Sequence, residues 1–182
     1  MIQGGWLSGW FRGRGERARL RETAAELYRG VVREARRPCL YARFGVPDTT
    51  DGRLEMIMLF AALVMRRLKK EGHGGEALAQ ELFDLMFADV DRNFREQGVS
   101  DISVGKHVKR AVSTFMARTV HVEQALAANE PEALAGTIRR NLRVEQGMDE
   151  VAASLVAYDR LLADWPHQRL IEGAVPEQGQ RD

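Results

Sequence analysis

A single cysteine, Cys39, stands in 182 residues, which excludes a disulfide framework and any zinc site built on paired thiolates. Charge of one sign is lacking too. The 27 Lys and Arg nearly cancel 26 Asp and Glu, leaving +1, so no global field marks the chain as a nucleic-acid binder. No long apolar run occurs. Met56–Met65 is the longest, at ten residues, where a membrane span needs about 20. Aromatics make up 7%, and period-2 alternation is almost missing, which argues against a sheet. Also absent are the H-E-x-x-H, G-x-S-x-G, P-loop and dinucleotide fingerprints, and any internal repeat. His73, His107, His121 and His167 have no metal-binding spacing. No enzyme is expected.

What is present is helical periodicity. Glu16–Arg37 carries Leu20, Ala24, Leu27, Tyr28 and Val31 at helical spacing and ends at Pro38. Arg53–Glu71 follows N-caps at Thr49–Asp51. It is apolar nearly all round, which predicts a central helix covered on most sides. The cluster EGHGG separates it from a third helix, Glu76–Gln97. A fourth, Ser103–Ala128, carries the stripe Val104, Val108, Ala111, Val112, Phe115, Thr119, Val122 and Leu126. Pro131 opens a fifth, and a sixth spans Met148–Trp165 before Pro166. The expected fold is all-α, a compact bundle or orthogonal array of about six helices. The expected organisation is a flexible segment over 1–15, one helical domain over 16–172 and a mobile polar tail over 173–182.

The N-terminal segment Met1–Phe11 precedes its arginines, Arg12 onward. That order is the reverse of a secretory signal, and the first basic residue comes too late for a short mitochondrial leader. No export is expected. Trp6, Trp10 and Phe11 with the following arginines could touch a membrane surface peripherally, although Gly4, Gly5 and Gly9 weaken a helix there.

Residues 87–110, FADVDRNFREQGVSDISVGKHVKR, start with D-x-D-x-N, the opening of a calcium loop. Counted from Asp89, however, the sixth residue is Phe94 and the twelfth Ser100, where a calcium loop needs Gly and a bidentate Glu. On a helix, Asp89 and Asn93 share one side and Asp91 points away. No metal site is expected. The stretch reads better as a helix end, with Gly98 at the left-handed C′ position, Val99 at C″ beside Phe94, and Ser100, Asp101 and Ser103 capping the next helix. Asp89 lies within the apolar arc of the third helix and needs a partner. A tight corner would place it beside the fourth helix, with His107 and Lys109 as the nearest candidates. A structural ion pair and a partner-binding acid are both open. Lys106, Lys109 and Arg110 form a basic outer face, suited to solvent, RNA phosphate or an acidic protein surface. Helices of 20 or more residues and the lack of a basic tail set aside a DNA-reading helix-turn-helix, so no DNA partner is expected.

The ordered motif Arg95-Glu96-x-Gly98-Val99-x-Asp101, then Val104-x-Lys106-x-Val108-Lys109, with the upstream ELYRGVVREARRPCLYARFGVPDTTDGRLEMIMLFAALVMRRL, resembles the ubiquinol–cytochrome c chaperone family in its alphaproteobacterial members. The resemblance covers about residues 25–126. One departure is visible: Phe115-Met116-Ala117-Arg118 stands where the family commonly has F-Y-G-R. The resemblance implies a non-enzymatic assembly factor without metal, nucleotide or other cofactor. It would hold newly made cytochrome b in an apolar groove rimmed by charge and promote assembly of ubiquinol–cytochrome c reductase. The location would be cytoplasmic, at the inner face of the membrane. Contacts with the ribosome near the tunnel exit and with a second assembly factor are also implied. Carried onto this chain, the candidate partner-binding residues are Asp89, Arg95, Glu96, Asp101, Lys106, Lys109 and Arg110, with Gly98 and Val99 forming the turn.

Overall fold

The structure, a computed structural model, describes residues 5–144 and 146–179, with side chains from residue 15 onward. Its helices are α1 (Gly5–Ala35), α2 (Pro38–Ala42), α3 (Thr50–Lys69), α4 (Gly72–Glu96), α5 (Asp101–Ala128), α6 (Pro131–Leu142), α7 (Met148–Asp164) and α8 (His167–Ile171). The six expected helices are all present, and α2 and α8 are single extra turns. α1 starts earlier than its periodicity suggests, at Gly5. The side chains of Trp6, Trp10 and Phe11 lie outside the described residues, as do Met1–Gly4. The glycine cluster at 72–75 opens α4 from inside, rather than forming a loop before it.

The run Met56–Met65 decides the architecture. A helix with apolar side chains on every side is stable only when surrounded, and all ten of these residues are buried. Thr49 caps α3, its Oγ1 accepting from the Gly52 N–H at 3.1 Å. Around α3 pack α1, α4, α5, α6 and α7. Tyr158 of α7 meets Phe60 edge-to-face, with ring centres 5.1 Å apart. Arg66 ties α3 to α7 through Asp159 at 2.6 Å.

α1 lies alongside α4 in parallel, since Arg21 meets Glu81 and Tyr28 meets Asp89 at nearly constant sequence offset. α4 and α5 are antiparallel: Phe87 contacts Phe115 and Phe94 contacts His107. α4 therefore has two flanks, one against α1 and one against α5.

The segment after Gly173, expected to be mobile, is held down as far as Gln178. Trp165 Nε1 donates to the Ala174 carbonyl at 2.8 Å, and Val175 is buried. Val175 fills a notch that exists because residue 30 is Gly; a Cβ there would sit 2.3 Å from Val175 Cγ2. The Gln178 N–H donates to Glu34 at 3.3 Å and its Nε2 to the Ser154 carbonyl at 2.8 Å. Arg37 donates to the Gln178 Oε1. The polar composition of the tail hid the role of Val175 and Pro176, both buried. Burial pushes the Glu34 carboxyl above its usual range, opposed by Gln178 and by Arg37.

Candidate functional site

The corner between α4 and α5 forms as the residue types require. Gly98 has φ +78°, in the left-handed region where other residues are strained. The Val99 N–H donates to the Phe94 carbonyl at 3.1 Å and the Gly98 N–H to the Arg95 carbonyl at 3.0 Å, the two bonds of a Schellman ending. Arg95 then clips the corner from outside, bonding Asp91 at 2.6 Å and pairing with Asp101 across the turn. Those two carboxylates hold the Arg95 guanidinium above its ordinary value, the Asp91 hydrogen bond contributing most. Both acids of the pair sites are solvent-accessible, so the clip positions the turn more than it stabilises the chain.

Asp89 does not meet α5. Its Oδ2 accepts from Tyr28 of α1 at 2.8 Å, and its Oδ1 accepts from Arg92 one turn on. His107 instead lies against the Phe94 ring, with centres 5.0 Å apart, and Lys109 is exposed. The expected pairing with His107 or Lys109 is thus replaced by one with Tyr28. The reason is angular: two residues after Phe87, a helix has turned about 200°, so Asp89 faces α1 where Phe87 faces α5. Burial first, and then the bonded Asp89 carboxylate, push the Tyr28 hydroxyl far above the ordinary tyrosine range. It therefore stays a donor. Around this pair is a crevice of about 160 Å³ lined by Tyr28, Arg36, Leu54, Asp89, Asn93 and Phe94, among others.

On the opposite flank of α4 lies a larger feature that the residue patterns did not locate. α3, α4 and α5 leave an apolar groove of about 380 Å³, floored and walled by Ala62, Met65, Ala79, Phe83, Phe115 and Met116. Arg66, Lys69, Glu76 and Glu123 stand at its rim. Phe83, Phe87 and Phe115 are mutually stacked, at 4.6–5.8 Å between ring centres, and fix its wall. Met116 is 55% exposed and Val120, one turn on, 51%. The readable signal was there: Met116 and Val120 are an i, i+4 apolar pair lying outside the core stripe of α5. That stripe is itself incompletely covered, since Val108, Ala111, Val112 and Leu126 are only partly buried.

The predicted site residues consequently divide. Gly98, Val99, Arg95 and Asp101 build the corner, Asp89 joins α1 to α4, and Glu96, Lys106, Lys109 and Arg110 are exposed. They do not converge on one site.

The chain matches the family model described as ubiquinol–cytochrome C chaperone over residues 42–171. It belongs to that family. Among solved structures it is similar to the crystal structure of the Cbp3 homolog from Brucella abortus. That similarity has a TM-score of 0.82 and 32% identity, covering 95% of this chain and 97% of the other. No curated protein matches the chain. The family match contains α3, α4, α5, α6 and α7, and so the whole corner and the whole groove of this ubiquinol–cytochrome c chaperone family member.

The Phe115-Met116-Ala117-Arg118 segment, where the family resemblance shows its departure, has a split role. Phe115 and Met116 line the groove, while Arg118 turns inward. It pairs with Glu55 of α3, and Asn141 of α6 donates to the same carboxylate at 3.1 Å. Glu55 is 3% exposed and Arg118 16%. Desolvation raises the Glu55 pKa and lowers that of Arg118, each opposed by the partner's charge. Glu55 escaped notice because a lone acid at the start of an apolar helix reads as a solvent-facing N-terminal charge. The pair locks α3, α5 and α6 behind the groove. No helix among the described residues is long and apolar enough to cross a membrane.

Proposed function

We propose that this family member is a non-enzymatic assembly chaperone that holds newly made cytochrome b and releases it into ubiquinol–cytochrome c reductase. The working location is the cytoplasm, at the inner face of the membrane. One observation carries the reading: an apolar groove of about 380 Å³ remains uncovered between α3, α4 and α5. Its size falls in the range of about 300–1,000 Å³ typical of ligand sites, and its apolar lining suits a few apolar side chains of a client. Exposed Met116 adapts to varied surfaces because the thioether chain is flexible. A client with successive apolar segments needs that tolerance.

The charged rim limits how far the groove attracts arbitrary hydrophobic surface. Lys69 and Glu76 on one lip and Glu123 on the other keep the patch bounded, and bounded patches of a few hundred Å² are tolerated by soluble proteins. The test is genetic. Removal of the gene should lower cytochrome b and the assembled reductase, and restoration should require an intact groove: wild type rescues and Met116→Glu does not. Unchanged cytochrome b in the deletion strain would end the proposal.

A further inference from the structure

Lys106, Lys109 and Arg110 cluster on one exposed side of α5 and, unlike many arginines of the bundle, have no acid to neutralise them among the described residues. Arg21, Arg66, Arg67, Arg92 and Arg95 each meet a carboxylate. These three cations in the first half of α5 are exposed and pair with none among the described residues. The sole carboxylate in the first half of α5, Asp101, is taken up by Arg95. At about 100° per residue, Ile102, Lys106, Lys109 and Arg110 fall within a sector of about 100° on the outer side of the helix. Ile102 is 83% exposed, the most exposed large apolar side chain described, and it sits at the tip where the corner projects.

We infer that this half of α5 docks on an anionic bilayer, with Ile102 inserted at the headgroup boundary and the three cations over lipid phosphates. A large apolar side chain gains only by leaving water, and cations around it gain from an anionic plane. A bilayer offers both at once and needs no complementary cleft, which suits residues carried on the convex flank of one helix. An RNA surface would use the same cations but gain nothing from Ile102, and this sector carries no aromatic ring on which bases could stack. Met116 lies 14 residues beyond Ile102, about 21 Å along the helix, so docking would hold the groove close to the membrane. The inference does not depend on which client the groove takes.

The test is sedimentation of the full chain with vesicles of phosphatidylcholine alone and of phosphatidylcholine mixed with phosphatidylglycerol, beside a poly(U) binding arm. Binding is expected only with the anionic lipid and should weaken at high salt, because exposed charges are screened. Each basic residue near an anionic surface is worth about fivefold, so the paired change Lys106→Gln with Lys109→Gln should lower partitioning about 25-fold. Ile102→Ser should lower it about tenfold even at low salt. Both variants should keep the wild-type circular dichroism and urea midpoint. Absence of binding to anionic vesicles would overturn the inference. So would binding that both variants retain, which would place the contact elsewhere on the chain. Tighter binding to poly(U) than to vesicles, lost with the two lysines but kept with Ile102→Ser, would overturn it in favour of a nucleic-acid surface.

Discussion

Arg118→Met should be among the most destabilising single changes on the groove side of this bundle. The substitution keeps most of the apolar stem and removes only the charge. Glu55, 3% exposed, would be left with Asn141 as its remaining donor among the described residues. Breaking a buried pair from one side costs about 3–5 kcal/mol. For a chain of this size that corresponds to a fall of roughly 6–20 °C in Tm. The loss should depend on pH, and the sign follows from burial. The folded-state pKa of Glu55 is raised above its unfolded value, so the folded state binds this proton more readily. Its contribution is most favourable at low pH and is lost as pH rises through the folded pKa. Removing Arg118 deletes an opposing charge and raises that pKa further. The variant should therefore lose more stability at about pH 8 than at about pH 5. Urea titrations of both proteins at both pH values measure this directly. The paired change Glu55→Leu with Arg118→Met should recover most of the loss, since an apolar replacement avoids burying either charge. Arg118 Nε is buried without a hydrogen-bond partner, which makes that recovery more favourable. A loss below about 1 kcal/mol, or one of equal size at both pH values, would refute the reasoning.

Other consequences are smaller and separable. Gly98→Ala should cost about 1–2 kcal/mol in urea unfolding, from the φ of +78° alone, because the space around a Cβ there is open. Tyr28→Phe removes the donor to Asp89 and should cost about 1.5–3 kcal/mol; a change within error would mean that Arg92 alone satisfies the carboxylate. Gln178→Ala should loosen the C-terminal strap, detected as faster amide exchange at residues 174–178 with α4 and α5 unaffected. Met116→Glu should leave the unfolding free energy within about 0.5 kcal/mol of wild type, as expected for an exposed site, while abolishing rescue of cytochrome b.

The sequence revealed most where one residue type has one structural use. Ten consecutive apolar residues could only be a surrounded helix, and Gly98 between two helical patterns could only be a left-handed cap. It revealed less where the outcome depends on which neighbour arrives. Asp89 needed a partner, and the letters said so, but choosing between α1 and α5 requires knowing that α4 is flanked by both. The helical projection placed Asp89 within the apolar arc of that helix; it could not show that one side of the arc faces α1 and the other α5. The strap was hidden because its docking rests on main-chain groups and on a missing side chain at Gly30. The groove was hidden for a related reason. An apolar stripe such as that of α5 predicts burial, and only the packing of α3 and α4 shows that an opening remains beside it, where Met116 lines the groove.

Client capture in the groove is tested most directly by a photo-crosslinking amino acid placed at Met116 or Thr119 in the groove, and at Arg140 on α6 as a control, during synthesis of the reductase. Newly made cytochrome b should be recovered from the two groove positions and not from the control. Cytochrome b missing from the groove crosslinks, or recovered equally from all three positions, would contradict client capture there.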